Sequence, residues 1–162
     1  MRQRSFPLST WVEVKDGNET ARDIFNGHYS RRVYADGRNP SLFVGPGSKI
    51  VLVTPEADAL CIWRKFISGD RQDGVNCMVF RNESPHLSSW LIQEAELLAY
   101  QRWPGERLYT YVNPRKVRST NPGYCFLKAG WHRCGVTKYN KLLILEKDAF
   151  RSEDGDSGAS GI

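Results

Sequence analysis

The sequence predicts an α+β domain in which helices pack on a mixed sheet of about seven mostly antiparallel strands. Three observations predict it. Strand and helix signals alternate in the order β, α, β-β-β, α, β, α, β-β. One long amphipathic helix, Trp90–Trp103, parts the strands into two groups. The composition, 40% hydrophobic and 25% charged over 162 residues, is ordinary for a globular chain of one domain.

Taken in order, Trp11–Val14 reads as a short first strand. Thr20 is placed to cap the first helix, with Asp23 three residues on. Ala21, Ile24, Phe25 and His28 follow at helical spacing, so His28 falls on the apolar side. A polar stretch punctuated by Gly and Pro runs from Ser30 to Gly47. The strand-like runs Lys49–Thr54, Leu60–Ile67 and Val75–Arg81 are joined by turn chemistry at 55–58 and 68–74, which predicts an antiparallel meander.

In the long helix, Leu91, Ile92, Ala95, Leu98, Ala99 and Trp103 form one apolar face. Ser88 and Ser89 are its N-cap candidates, and Pro104-Gly105 ends it. Leu108–Val112 is the next strand. Asn121-Pro122 starts a short helix, with Asn as the cap and Pro at the first position, that stops at Gly130. Trp131–Val136 and Leu142–Glu146 close the pattern as a hairpin around 137–141. The domain is assigned to residues 1–150, and the acidic Gly/Ser-rich segment 151–162 reads as a disordered tail.

No apolar run reaches the roughly 20 residues that cross a bilayer. The N-terminal MRQRSFPLSTWVEV has two arginines but no apolar block behind them. Both features predict a cytoplasmic protein without a membrane partner. Cys61, Cys77, Cys125 and Cys134 form no CxxC pair and sit in apolar or aromatic segments, so they read as buried free thiols. Zinc on Cys125, His132 and Cys134 is the alternative, but the spacing matches no structural-zinc pattern and no metal is predicted. Trp63, Trp90 and Trp103 read as core.

The net charge is +5; segment 151–162 contributes −2, so the body carries +7. Two basic sets lie in loops interleaved with Tyr or Asn. They are Arg31, Arg32 and Arg38, then Arg115, Lys116 and Arg118. Such sets contact phosphates, and neighbouring aromatics stack unpaired bases, so DNA is the candidate partner. A merely solvated surface is the alternative.

The element order resembles that of the GNAT acyltransferase superfamily. The segment Tyr124-Cys-Phe-Leu-Lys-Ala-Gly130-Trp131 is similar to that family's closing Tyr-x-x-x-Gly-Phe motif, with Phe126 in the tyrosine position and Gly130-Trp131 in the Gly-Phe positions. GNAT enzymes carry Arg/Gln-x-x-Gly-x-Gly/Ala before the long helix, where backbone N–H groups cradle the donor's pyrophosphate. Here that place reads Arg81-Asn-Glu-Ser-Pro-His-Leu-Ser-Ser89, without glycine. His28-Tyr29-Ser30, the Ser-Ser-x-Leu-Ile helix start, and Tyr-Thr-Tyr-Val-Asn-Pro-Arg-Lys-Val-Arg before Asn-Pro-Gly-Tyr together resemble the phage Mom-like branch. Mom proteins modify adenine in DNA with a glycine-derived group that protects phage genomes from restriction.

The resemblance implies a virus-encoded, DNA-directed transferase with an acyl donor of coenzyme A or aminoacyl type. It places Phe80, Arg81, Ser88 and Ser89 at the donor. His28 borders the acceptor as a candidate base, and Asn113 ends the fifth strand, where it would orient a carbonyl. Tyr124 is the nearest hydroxyl to replace the one missing at Phe126, although it lies about 200° away around a helix axis. Two other readings stand beside this one. One is an acetyl-CoA-dependent N-acetyltransferase with a small-molecule or protein acceptor. The other is a degenerate GNAT domain that only binds nucleic acid.

Overall fold

Runs of β-branched and aromatic residues broken by short turn-forming segments make the chain fold back on itself repeatedly. The computed structural model describes residues 10–28, 42–67, 69–117 and 121–148. Its elements are β1 (Val12–Val14), α1 (Glu19–Asn26), β2 (Ser48–Val53), β3 (Ala59–Lys65), β4 (Val75–Asn82), α2 (Ser88–Arg102), β5 (Leu108–Val112), α3 (Tyr124–Lys128), β6 (His132–Val136) and β7 (Leu143–Lys147). The strands form one seven-stranded sheet in the order β1-β2-β3-β4-β5-β7-β6. Its neighbours are antiparallel except β4 and β5, which run parallel. This is the expected α+β mixed sheet. The parallel pair follows from α2, whose 15 residues carry the chain from the end of β4 back to the start of β5.

Helices cover both faces. Ala21, Ile24 and Phe25 of α1 pack with Val51, Val53, Leu60, Ile62 and Val79 on one side. Leu91, Ile92, Ala95 and Ala99 of α2 pack with Leu52, Cys61, Trp63, Cys77, Phe126 and Trp131 on the other. Burial on both faces explains why β3 reads as a continuous apolar run instead of an alternating one. The β2–β3 turn is held by one side chain: Thr54 Oγ1 accepts from the N–H groups of Asp58 and Ala59, each at 3.0 Å.

One irregularity re-aims the sheet's centre. Opposite Ile62 stands Val79, but opposite Trp63 stands Cys77, so Met78 is an extra residue in β4. A bulge of this kind exchanges the faces of everything beyond it. Val75 and Cys77 face α2; after Met78, Phe80 joins the α2 side while Val79 packs with α1.

Several expectations are corrected. The first helix is capped by Asn18, whose side chain accepts from Ala21 N at 3.0 Å, not by Thr20, which lies inside it. It ends at Asn26, so His28 follows the C-cap Gly27 instead of lying in the helix. The N-cap of α2 is Leu87, and Ser88 and Ser89 are its first two helical residues. Ser88 Oγ accepts from Asn82 Nδ2 and so ties strand to helix. The cap of α3 is Gly123, at φ 80°, not Asn121. A Cβ there would lie 2.5 Å from Leu145 Cδ1, so this position favours glycine twice over. Trp90 is exposed, not core. Cys61 and Cys77 are buried, Cys125 is half-buried and Cys134 is exposed on the edge strand β6. The segment 151–162 lies outside the described residues.

Candidate functional site at the open end of the parallel strands

The β4–β5 pair begins as a tight ladder. Val75 N donates to Arg107 O at 2.8 Å, and the registered pairs are Val75 with Leu108 and Asn76 with Tyr109. Gly74 makes this approach possible: its φ is +112°, and a Cβ would stand 2.2 Å from Arg107 O. One step further the backbone ladder gives way to a side-chain bond, from Thr110 Oγ1 to Cys77 O at 2.7 Å. β4 then runs on to Asn82 and β5 to Val112 without further registered pairs. The strands part as a wedge toward their C-terminal ends.

The end of β4 leads into a loop organised by Asn82. Its Nδ2 donates to His86 O and Ser88 Oγ, both at 2.8 Å. Its Oδ1 accepts from Ser84 N at 2.9 Å and from Ser84 Oγ. His86 N donates to Ser84 Oγ at 3.1 Å. One carboxamide therefore fixes the path from strand to helix, and the first turn of α2 receives no side-chain bond from its cap, Leu87. Asn82 was not singled out from the sequence. Its signal is the Asn-x-Ser spacing to Ser84, the pattern of an Asx turn.

The expected donor residues divide. Phe80 faces the α2 side, edge-on to Phe126 with ring centroids 6.0 Å apart. Arg81 faces α1, where Nη1 donates to Gly27 O at 2.6 Å and Nη2 pairs with Glu83 at 3.2 Å. Ser88 and Ser89 stand at the start of α2, half-buried.

His28 is half-buried beside the end of β4. Burial first, and then the charge of Arg81, pull its imidazole from the usual 6.5 down to about 4, against a bond with the Phe80 backbone that works the other way. Asn113 follows β5 directly, and its Oδ1 accepts from Arg115 N at 3.1 Å in a turn. Phe126 is buried between Phe80 and Trp131, 4.9 Å from the latter's ring. Tyr124 is 53% exposed. Arg115 and Lys116 are exposed just beyond Asn113. Arg31, Arg32, Arg38 and Arg118 lie outside the described residues.

The topology thus brings His28, Phe80, Ser88, Ser89, Asn113, Arg115 and Lys116 to the end where β4 and β5 part. Another concavity lies between α2 and the C-terminal end of β7, lined by Trp90, Gln93, Glu94, Glu96, Tyr100 and Lys147. Two of its charged groups pair with each other: Glu96 accepts from Lys147 at 2.6 Å and from Trp131 Nε1 at 3.1 Å, whereas Glu94 Oε1 is buried without a hydrogen-bond partner among the described residues. Burial pushes the Glu96 carboxyl up, and those two bonds pull it back. Among the described residues no group of three or more His, Cys, Asp or Glu is placed to hold a metal ion. No helix among them is long and apolar enough to cross a membrane. No family model matches the chain, and no curated protein matches it.

Proposed function

We propose that the chain is a GNAT-like acyl or aminoacyl transferase of the Mom-like kind, which modifies a nucleobase amine in phage DNA within a bacterial host. The observation that carries this reading is the parting of the parallel strands β4 and β5 beside the start of α2. An extended donor can lie between two such strands and bond to backbone groups that no neighbouring strand uses. The helix start beside it favours an anion.

The donor would supply an activated carbonyl. The loop fits a full pyrophosphate cradle poorly, because Ser84 N and His86 N are already engaged by Asn82 and Ser84 side chains. The first turn of α2, with the hydroxyl of Ser89, remains for one anionic group. This favours an aminoacyl-type donor over coenzyme A.

The residues of the open end mainly position the reactants. His28 is neutral at pH 7 and offers a lone pair to an amine N–H; its low basicity suits it to orient the amine, and the proton the amine sheds on acylation passes on to solvent water. Asn113 uses its Oδ1 in the turn, which leaves the amide NH2 to meet a carbonyl. Arg115 and Lys116 hold the phosphates of DNA whose target base has left the stack. Phe126 brings no hydroxyl to the leaving group, and Tyr124, the nearest tyrosine in sequence, is 53% exposed. That gap favours a leaving group that departs as a stable anion. It is also the feature that favours the non-catalytic reading, a domain that only binds nucleic acid.

Mass analysis of nucleosides from the DNA of cells producing the chain tests the proposal. A new adduct on a base amine is expected. Unmodified DNA from cells with abundant folded protein would rule out the DNA-modifying reading.

A further inference from the structure

Residues 107–145 hold eight Lys and Arg and not one Asp or Glu, which leaves the rest of the chain at −3. The described parts of this segment form β5, α3, β6 and most of β7, and β5, β7 and β6 are neighbours at one side of the sheet. The tip of the β6–β7 hairpin follows Val136 and precedes Leu143, and Leu143 is also the partner of Val112. The tip therefore lies at the end where β4 and β5 part, beside the loop after β5. Arg115 Nη2 donates to Asn140 O at 2.9 Å and ties the two together.

The tip is well formed. Thr137 N donates to Leu142 O at 2.8 Å, and Leu142 N donates to Thr137 Oγ1 at 2.9 Å. Lys141 holds a φ of 54°, a left-handed conformation that a non-glycine residue adopts at some cost. At its crest Tyr139 is 85% exposed, with Lys138 Nζ 5.5 Å from the ring centroid. All five positions of β6 are exposed. A ring so exposed adds little to the core, so the fold does not explain an aromatic between two lysines there.

We infer that this hairpin tip is a DNA-gripping finger. Lys138 and Lys141, with Arg115 and Lys116 beside them, contact phosphates, and Tyr139 stacks on a base next to the nucleotide drawn toward the open strands. Charge complementarity selects the partner: Arg115, Lys116, Lys138 and Lys141, brought to one end by a stretch of sequence without a carboxylate, suit a polyanion, and an aromatic between cations suits one that carries stackable bases. The inference rests on the proposed DNA substrate and adds to it the element that grips the strand. An enzyme working on a base inside a duplex must unstack it, and an inserted side chain helps to hold the gap open.

The test uses the full chain and a fluorescein-labelled duplex carrying 2-aminopurine, with anisotropy followed across a salt series. Lys138→Gln with Lys141→Gln is expected to flatten the log–log salt slope by about two, one for each phosphate released. Tyr139→Ala is expected to keep the slope, to weaken binding about five- to hundredfold, and to abolish the 2-aminopurine fluorescence rise. Unchanged melting temperatures are expected for both variants, because the tip is exposed. Wild-type binding that both variants reproduce overturns the finger and leaves the DNA reading standing. A wild-type chain that does not bind the duplex, or binds a protein partner through this tip instead, overturns both the finger and its DNA partner. Nucleoside analysis without an adduct, alongside finger-dependent binding, removes the transferase and keeps the finger.

Discussion

The two ends of the β4–β5 pair are made for different work. At the closed end, glycine lets two backbones meet, a ladder bond joins Val75 to Arg107, and Arg107 Nε is paired with Glu146 at 2.6 Å. At the open end the ladder stops, and the strands give onto a loop tied by one asparagine, an uncapped helix start and basic turns. The difference teaches where rigidity is needed. A wedge can present free backbone groups to a ligand only if its apex is held by contacts that do not depend on the ligand.

The largest expected effect breaks the apex. Gly74→Ala forces a left-handed conformation and a clash with the Arg107 carbonyl, and is expected to destabilise the fold by at least about 2–4 kcal/mol in chemical denaturation. Next is Thr110→Val, which keeps the shape but removes the last rung and leaves the buried Cys77 carbonyl without that donor. A loss of about 1–3 kcal/mol is expected, with donor-site activity lowered further as the wedge loosens.

His28 sharpens the comparison through pH. Its folded-state value of about 4 lies below the usual 6.5, so above pH 6.5 neither folded nor unfolded chain binds the proton and the group contributes nothing. As pH falls from 6.5 toward 4, the unfolded chain takes up a proton that the folded chain refuses. Stability then declines by at most about 1.4 kcal/mol per pH unit. His28→Gln is expected to flatten that part of the profile relative to wild type, measured by urea denaturation across the range. The smallest effect is at the rim. A general acid contributes about 10²–10⁴-fold, and the exposure of Tyr124 predicts far less for Tyr124→Phe in a turnover assay.

Much of this architecture is legible in the sequence. The order of the ten described elements follows from hydrophobic period and turn residues, because both faces of the sheet are covered and strands such as Leu108–Val112 leave no ambiguity. The wedge itself is not legible, since it depends on where a parallel ladder stops. Nor is the face exchange at Met78: one extra residue in an apolar strand leaves the local pattern unchanged, yet it turns Phe80 to the α2 side and Arg81 to the α1 side. Serines before a helix read as caps, but Asn82 claims Ser88 for a bond that sequence spacing does not announce. The charge asymmetry, by contrast, is present in the sequence, in the carboxylate-free run 107–145.

The central claim is that the open end, and the start of α2 within it, receives an anionic donor. Ser89→Glu tests it most directly. A carboxylate in the first turn of a helix is favourable to folding, by about 0.3–1 kcal/mol, yet it repels an anion bound at the same place. The account predicts an unchanged or slightly raised melting temperature together with loss of the new nucleoside from cellular DNA. A Ser89→Glu chain that modifies DNA at the wild-type level would contradict it.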